Sequence, residues 1–250
     1  MAIDSIHGPW PQTPGLSTTP RIARVPAAPN KTDAPRRVAV ILRTIPASTY
    51  FVEIDAASCR VELFDSACRA YFRARLFEAL TRHSARLHAY ALLADRAVML
   101  VSSLSRCSLE RLAFQVQQAY LNYFNQRFRR RLRGARVFSA LCCVQGSELT
   151  RECYRLIERW PLAADESLRL GDTEWSSYPA NAFGHARSGL VRHACFDSLV
   201  PDEQGSLALY RDFVSRPLDP IYARILVEAL HKNSLVDERA IPAFLPATND

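Results

Sequence analysis

Lysine is almost absent from this 250-residue chain, so nearly all of its 32 basic side chains are arginine, against 25 acidic ones, for a net charge of +7. There is no long apolar run, and the mean hydropathy is -0.10, so no segment reads as a bilayer-spanning helix. The start, Met1-Ala-Ile-Asp-Ser5, lacks a basic stretch followed by an apolar one, so secretion is not the expectation. The 7 cysteines include no Cys-x-x-Cys pair. Their odd number indicates neither a disulfide framework nor a zinc ribbon, and reduced thiols in the cytoplasm are the expectation. No internal repeat and no low-complexity run occurs beyond the first 35 residues.

What is present is ample apolar content, 48% of residues, enough to build a core in one domain with an appendage. Residues 1–35 are punctuated by Pro9, Pro11, Pro14, Pro20, Pro26, Pro29 and Pro35, sustain no period, and read as a disordered leader. Strands are expected at Arg37–Arg43 and Tyr50–Ile54. A helix is expected over Ser66–His83. Two strands fill Leu87–Ser102 around a turn near Ala94-Asp95-Arg96. The next helix starts at an N-capping Ser108 and runs to about Arg130. A strand at Arg136–Val144 precedes a helix from Ser147 that should end near Trp160-Pro161, because proline disfavours a helical residue before it. Two more helices are expected near 203–215 and 219–232, with start signals at Asp202, Asp219 and Pro220. This order predicts an α+β fold, a mainly antiparallel sheet with helices packed on one side of it, and a helical C-terminal extension. The expected boundaries are 1–35 for the leader, 36–184 for the main domain and 185–250 for the extension.

Several segments, in order, resemble the REP-associated tyrosine transposases of the HUH single-tyrosine class. Leu87-His-Ala-Tyr-Ala-Leu-Leu93 resembles the strand leading into that family's histidine motif. Ser108 to Asn125 resembles the helix before its basic loop. Trp175-Ser-Ser-Tyr178 followed by Asn181-Ala-Phe-Gly184 resembles the block after its catalytic helix, and Tyr210-Arg-Asp-Phe213 with Pro217-Leu-Asp219 resembles the tail of its longer members. The likeness spans roughly residues 36–245 and implies an HUH transposase-like, ferredoxin-like arrangement. It also implies a chemistry. Two histidines one residue apart on a strand share a face, hold a divalent metal and polarise a phosphate of single-stranded DNA, and a helix-borne tyrosine attacks it.

The residues that carry that chemistry are replaced here. The histidine positions are Arg96 and Val98, and neither side chain can ligate a metal. The tyrosine position is Leu156, and the asparagine of the same motif is Trp160. Tyr154 lies two residues away, about 200° round a helix, so it should face away from the old site and serve as a packing aromatic with a wet hydroxyl. His88 lies too far back along the strand and reads as a structural or surface histidine. No catalytic residue, metal site or cofactor is therefore expected.

The expected nucleic-acid contacts are Arg127, Phe128, Arg129, Arg130, Arg131, Arg133 and Arg136, a basic run with one aromatic for base stacking, joined by Arg96 as a fixed positive charge in the vacated metal site. Three readings follow: a catalytically silent protein that binds single-stranded or hairpin DNA, an enzyme with residual cleavage and joining through a displaced tyrosine such as Tyr154 or Tyr178, and a decayed product or RNA- or protein-binding scaffold. Trp175-Ser-Ser-Tyr178 itself reads as a packed turn, its ring buried and its hydroxyls satisfying backbone groups.

Overall fold

The computed structural model describes residues 47–55, 65–132, 139–165, 167–185, 187, 189–196, 203–239 and 241. The expected leader, the expected strand at 37–43, and Arg133 and Arg136 lie outside these residues. The fold is α+β. In chain order the elements are β1 (Ser48–Asp55), α1 (Ser66–Arg82), β2 (Arg86–Leu92), β3 (Arg96–Ser103), α2 (Arg106–Arg127), β4 (Ser139–Gln145), α3 (Ser147–Ala164), α4 (Tyr178–Phe183), a 3-10 turn (Ala194–Phe196), α5 (Glu203–Ser215), α6 (Pro220–His231) and β5 (Leu235–Asp237). The strands form one sheet in the order β2-β3-β1-β4-β5. All neighbours are antiparallel except β4 and the short β5, which are parallel.

Helices cover both faces of the sheet, not the one face expected. Tyr50, Val52 and Ile54 of β1 point with Met99 and Val101 of β3 toward α1 and α2. Phe51, Val98 and Leu100 point the other way, toward α3, α5 and α6. Two-sided burial explains why β2 and β3 read as nearly unbroken apolar runs instead of alternating ones. On the first face α1 and α2 meet through aromatic contacts, Phe72 edge-on to Tyr120 at 5.5 Å and Tyr71 stacked on Tyr123 at 4.1 Å.

Helix ends follow local hydrogen bonding. Asp65 caps α1 by accepting from the Cys68 amide at 2.8 Å. α2 begins one turn before the expected Ser108, because the Ser105 hydroxyl accepts the Ser108 amide at 3.2 Å. α3 does not stop at Trp160-Pro161 but carries Pro161 inside it and reaches Ala164. A proline so near the end removes only one backbone bond, and its burial, with Trp160 set 6.2 Å from Phe51, holds the last turn on the sheet. The α3 start needs Gly146: its φ is 104°, and a Cβ there would collide with the side chain of Glu238, whose Oε2 accepts the Glu148 amide at 2.9 Å.

The β2 edge of the sheet is covered. Leu92 donates its amide to the Trp175 carbonyl at 2.8 Å, Tyr90 O accepts from the Ser177 amide at 2.9 Å, and Leu87 O accepts from the Val191 amide at 2.8 Å. Trp175-Ser-Ser-Tyr178 is thus the packed turn expected from its composition. Trp175 is buried under Arg73, whose guanidinium lies 4.7 Å from the ring centre.

Candidate nucleic-acid interface

The arginine run sits where α2 ends. Phe128 caps the helix, and Arg129 has a φ of 50°, a left-handed turn that swings the chain off the helix axis. Residues from Gln126 to Arg131 are exposed. Arg127 is tied down: it donates to Asp65 Oδ2 at 2.6 Å and to the Tyr123 hydroxyl at 2.7 Å. Arg130 lies 5.9 Å from the Phe124 ring centre. Among the described residues no carboxylate pairs with Arg129, Arg130 or Arg131. Their charge is therefore available to a phosphate, and Phe128 beside them is 36% exposed, its ring 4.7 Å from that of Phe124 and 5.3 Å from the Arg127 guanidinium.

Arg96 is in a different setting. It opens β3 and is gripped by two acids: Nη1 donates to Glu53 Oε1 at 3.0 Å and Nη2 to Asp95 Oδ2 at 2.8 Å. Glu53 is buried on β1 opposite Val98. Burial raises the Glu53 carboxyl above the usual range while the Arg96 charge pulls it back. Sequence reasoning missed Glu53 as the partner. The available signal was a lone acid inside Tyr50-Phe-Val-Glu-Ile54, a buried charge that needs a counter-charge.

Val98 is buried on the α3 side of the sheet, and Leu156 packs against the same apolar cluster. Val98 and Leu156 therefore share one face of the sheet. They supply no donor atom, and among the described residues no group of three or more His, Cys, Asp or Glu is placed to hold a metal ion. The donor set does not fit a divalent cation. A cleft of about 680 Å³ next to the β2–β3 turn and the end of α3 has Asp95, Asp165, Asp172 and Glu174 in its walls with Arg69, a lining that repels phosphate.

Tyr154 is not the wet aromatic expected. It is 1% exposed, and its hydroxyl oxygen accepts the His193 amide at 3.1 Å. His88 is structural. It is the extra residue of a bulge between Leu87 and Ala89. Its Nδ1 must donate, because its partner at 2.7 Å is the Val191 carbonyl. Nε2 therefore accepts from Ser102 Oγ at 2.8 Å, Ser102 Oγ accepts from Thr49 at 3.0 Å, and Thr49 Oγ1 accepts from His193 Nε2 at 3.0 Å. The far end is fixed too, since His193 Nδ1 accepts the Cys195 amide at 3.0 Å. Burial pushes His88 down to about 4, which keeps this chain neutral.

A second buried hub went unseen in the sequence. Glu158 of α3 accepts at Oε1 from Ser177 Oγ at 2.8 Å, Asn181 Nδ2 at 3.0 Å and the Tyr210 hydroxyl at 2.9 Å. Burial pushes its carboxyl up to about 7, against these hydrogen bonds. It joins α3, the β2-edge turn, α4 and α5, elements far apart in sequence.

No family model and no curated protein matches the chain. Among solved structures it is similar to one described as the structure of the REP associates tyrosine transposase bound to a REP hairpin. The identity is 11%, the alignment covers 58% of this chain and 86% of that one, and the TM-score is 0.42. At that score the likeness carries no weight on function.

Proposed function

We propose that this protein binds single-stranded or hairpin DNA through the arginine run at the end of α2, and that it does so without metal-dependent strand cleavage. The observation that carries this reading is the exposed, carboxylate-free stretch Arg129-Arg130-Arg131 beside exposed Phe128. Arginine forks suit phosphate oxygens, and a neighbouring aromatic face accepts any base. Arg133 and Arg136 continue the run in sequence. Arg96 and Arg127 already have acidic partners and contribute less. The absence of cleavage follows from side-chain chemistry: arginine and valine at positions 96 and 98 bind no metal, and leucine at 156 has no nucleophile.

The test is affinity for a DNA hairpin and for a linear single strand across a salt series. Binding should weaken with salt, with a log–log slope of roughly -0.7 per phosphate contact for a single strand. Changing Arg129, Arg130 and Arg131 together to alanine should flatten that slope by about two and lower low-salt affinity at least about tenfold. Absence of low-salt binding, or no change in the triple variant, rejects the reading. Incubating a labelled single strand with manganese should give no covalent protein–DNA adduct; an adduct would restore the cleaving enzyme as the better account.

A further inference from the structure

The segment Asn181-Ala-Phe-Gly184 opens a second basic patch that the arginine run does not explain. Gly184 ends α4 at a φ of 70°, and a Cβ there would press on Leu207 Cδ1 at 3.4 Å. The chain turned in this way brings His185 and Arg187 to a cleft of about 200 Å³ between α4 and α5. Arg192, Asn181, Tyr154 and Tyr210 complete its polar walls, and no carboxylate lines it among the described residues.

The walls are held by hydrogen bonds, and among the described residues no carboxylate pairs with Arg187 or Arg192. Arg187 Nη1 donates to the Tyr90 hydroxyl and to the Glu174 carbonyl at 3.3 Å. Arg192 Nη2 donates to the Ser206 carbonyl at 3.2 Å, and its guanidinium lies 5.5 Å from the Phe196 ring centre. These acceptors are neutral, so they position two guanidiniums and leave several of their N–H donors for a ligand. Asn181 and Tyr210 are fixed from behind by Glu158. Tyr154 is held in the wall by the His193 amide, which donates to its hydroxyl oxygen at 3.1 Å. Next to His185 of the lining stands Phe183, 48% exposed, its ring 5.9 Å from that of His185 and with the Arg211 guanidinium 5.5 Å from its centre.

We propose that this cleft binds the phosphate monoester of an unpaired nucleotide, with the base resting on Phe183. Two guanidinium charges with no carboxylate partner among the described residues match the double charge of a monoester, and paired N–H donors suit its oxygens. An aromatic next to the lining suits a base of any identity. The phosphorylated 5′ end of a DNA strand and a free nucleoside monophosphate offer the same chemistry. The first source rests on the nucleic-acid reading above, whereas the cleft itself does not.

Titration calorimetry on the full chain separates these cases, with a thymidine tetranucleotide carrying a 5′-phosphate or a 5′-hydroxyl, and with thymidine 5′-monophosphate against thymidine. The 5′-phosphate should tighten tetranucleotide binding tenfold or more. Arg192→Gln and His185→Ala should erase that ratio while the melting temperature stays near that of the parent. Phe183→Ala, at an exposed position, should weaken the monophosphate severalfold, which keeps the test open even if the cleft variants do not fold. Equal or tighter binding of the free monophosphate assigns a free nucleotide as the ligand, and weaker binding assigns a strand end. A ratio near one in the parent, or an unchanged ratio in folded Arg192→Gln, overturns the proposal. The Arg129, Arg130 and Arg131 triple alanine variant should weaken both tetranucleotides alike and keep the ratio. Absence of hairpin binding by the parent chain, with the ratio intact, therefore counts against the α2 interface alone.

Discussion

The two faces of the sheet are built on different principles. The face under α1 and α2 is apolar: Val52, Met99, Val101, Leu76, Leu112 and Phe124 close against one another, and among the described residues no buried carboxylate joins them. The face under α3 is apolar at its centre but holds Glu53, Glu152 and Glu158, with the His88–Ser102–Thr49–His193 chain at its margin. An apolar face is held by area and shape and tolerates any pH. A polar face is held by directional partners and costs stability when one is removed. Val98, Leu156 and the Arg96–Glu53 pair fall on the polar face. The exposed arginines lie elsewhere, at the end of a helix that belongs to the apolar face.

That contrast can be broken by experiment. The largest effect expected is on the apolar face. Leu76→Ala should cost about 3 kcal/mol by urea unfolding, with nearly the same loss at pH 5 and pH 8. A strongly pH-dependent loss would mean that the face is not purely apolar. Glu158→Gln should behave in the opposite manner. The carboxyl titrates near 4.5 in the unfolded chain and at about 7 in the folded one, so the folded state holds the proton more tightly. Its contribution is complete below pH 4.5 and is lost as pH rises through 7, a change on the order of 3 kcal/mol. The variant should remove that slope, measured as the parent-minus-variant difference between pH 5 and pH 8. His88, depressed to about 4, acts with the opposite sign and cancels in the difference. A difference that does not move with pH would refute the buried ionisable hub.

Arg96→Ala comes next, at about 2 kcal/mol of stability, discounted because the arginine side chain is 30% exposed while Glu53 loses its ion-pair partner on a buried strand. Its effect on DNA affinity should be under about twofold, which distinguishes it from the exposed run. An affinity loss as large as that of the triple variant would place the interface on the β3 side. The smallest effect is Phe128→Ala, a two- to fivefold weakening of single strands, or roughly 0.5–1 kcal/mol for one stacked base at a helix end. No effect would leave the arginines acting through phosphates alone.

Much of the fold was legible because the relevant forces are local. Asp219-Pro220 announced α6, since the carboxylate takes the Ile221 amide at 2.8 Å and proline suits a first turn. The two strands of Leu87–Ser102 and their turn at Asp95 followed from an apolar run too long for one strand. The three residues of β5 are too few to show a period, and the helices on the second face are placed by tertiary packing that no spacing announces. The same holds for the sites. The arginine run is visible as composition. The Arg96–Glu53 pair, the Glu158 hub and the cleft at Arg187 and Arg192 exist only once β1, α3, α4 and α5 converge.

The cover on β2 has a consequence for how the molecule breathes. An outermost strand normally exposes every second amide to water, and those protons exchange quickly. Here the outward amides of Tyr90 and Leu92 are taken by Ser177 Oγ at 2.8 Å and the Trp175 carbonyl at 2.8 Å. Ser177 is itself anchored to Glu158. Deuterium uptake at these two amides should therefore report the opening of the 175–177 segment, and should quicken as pH rises through 7 and the Glu158 carboxyl gives up its proton.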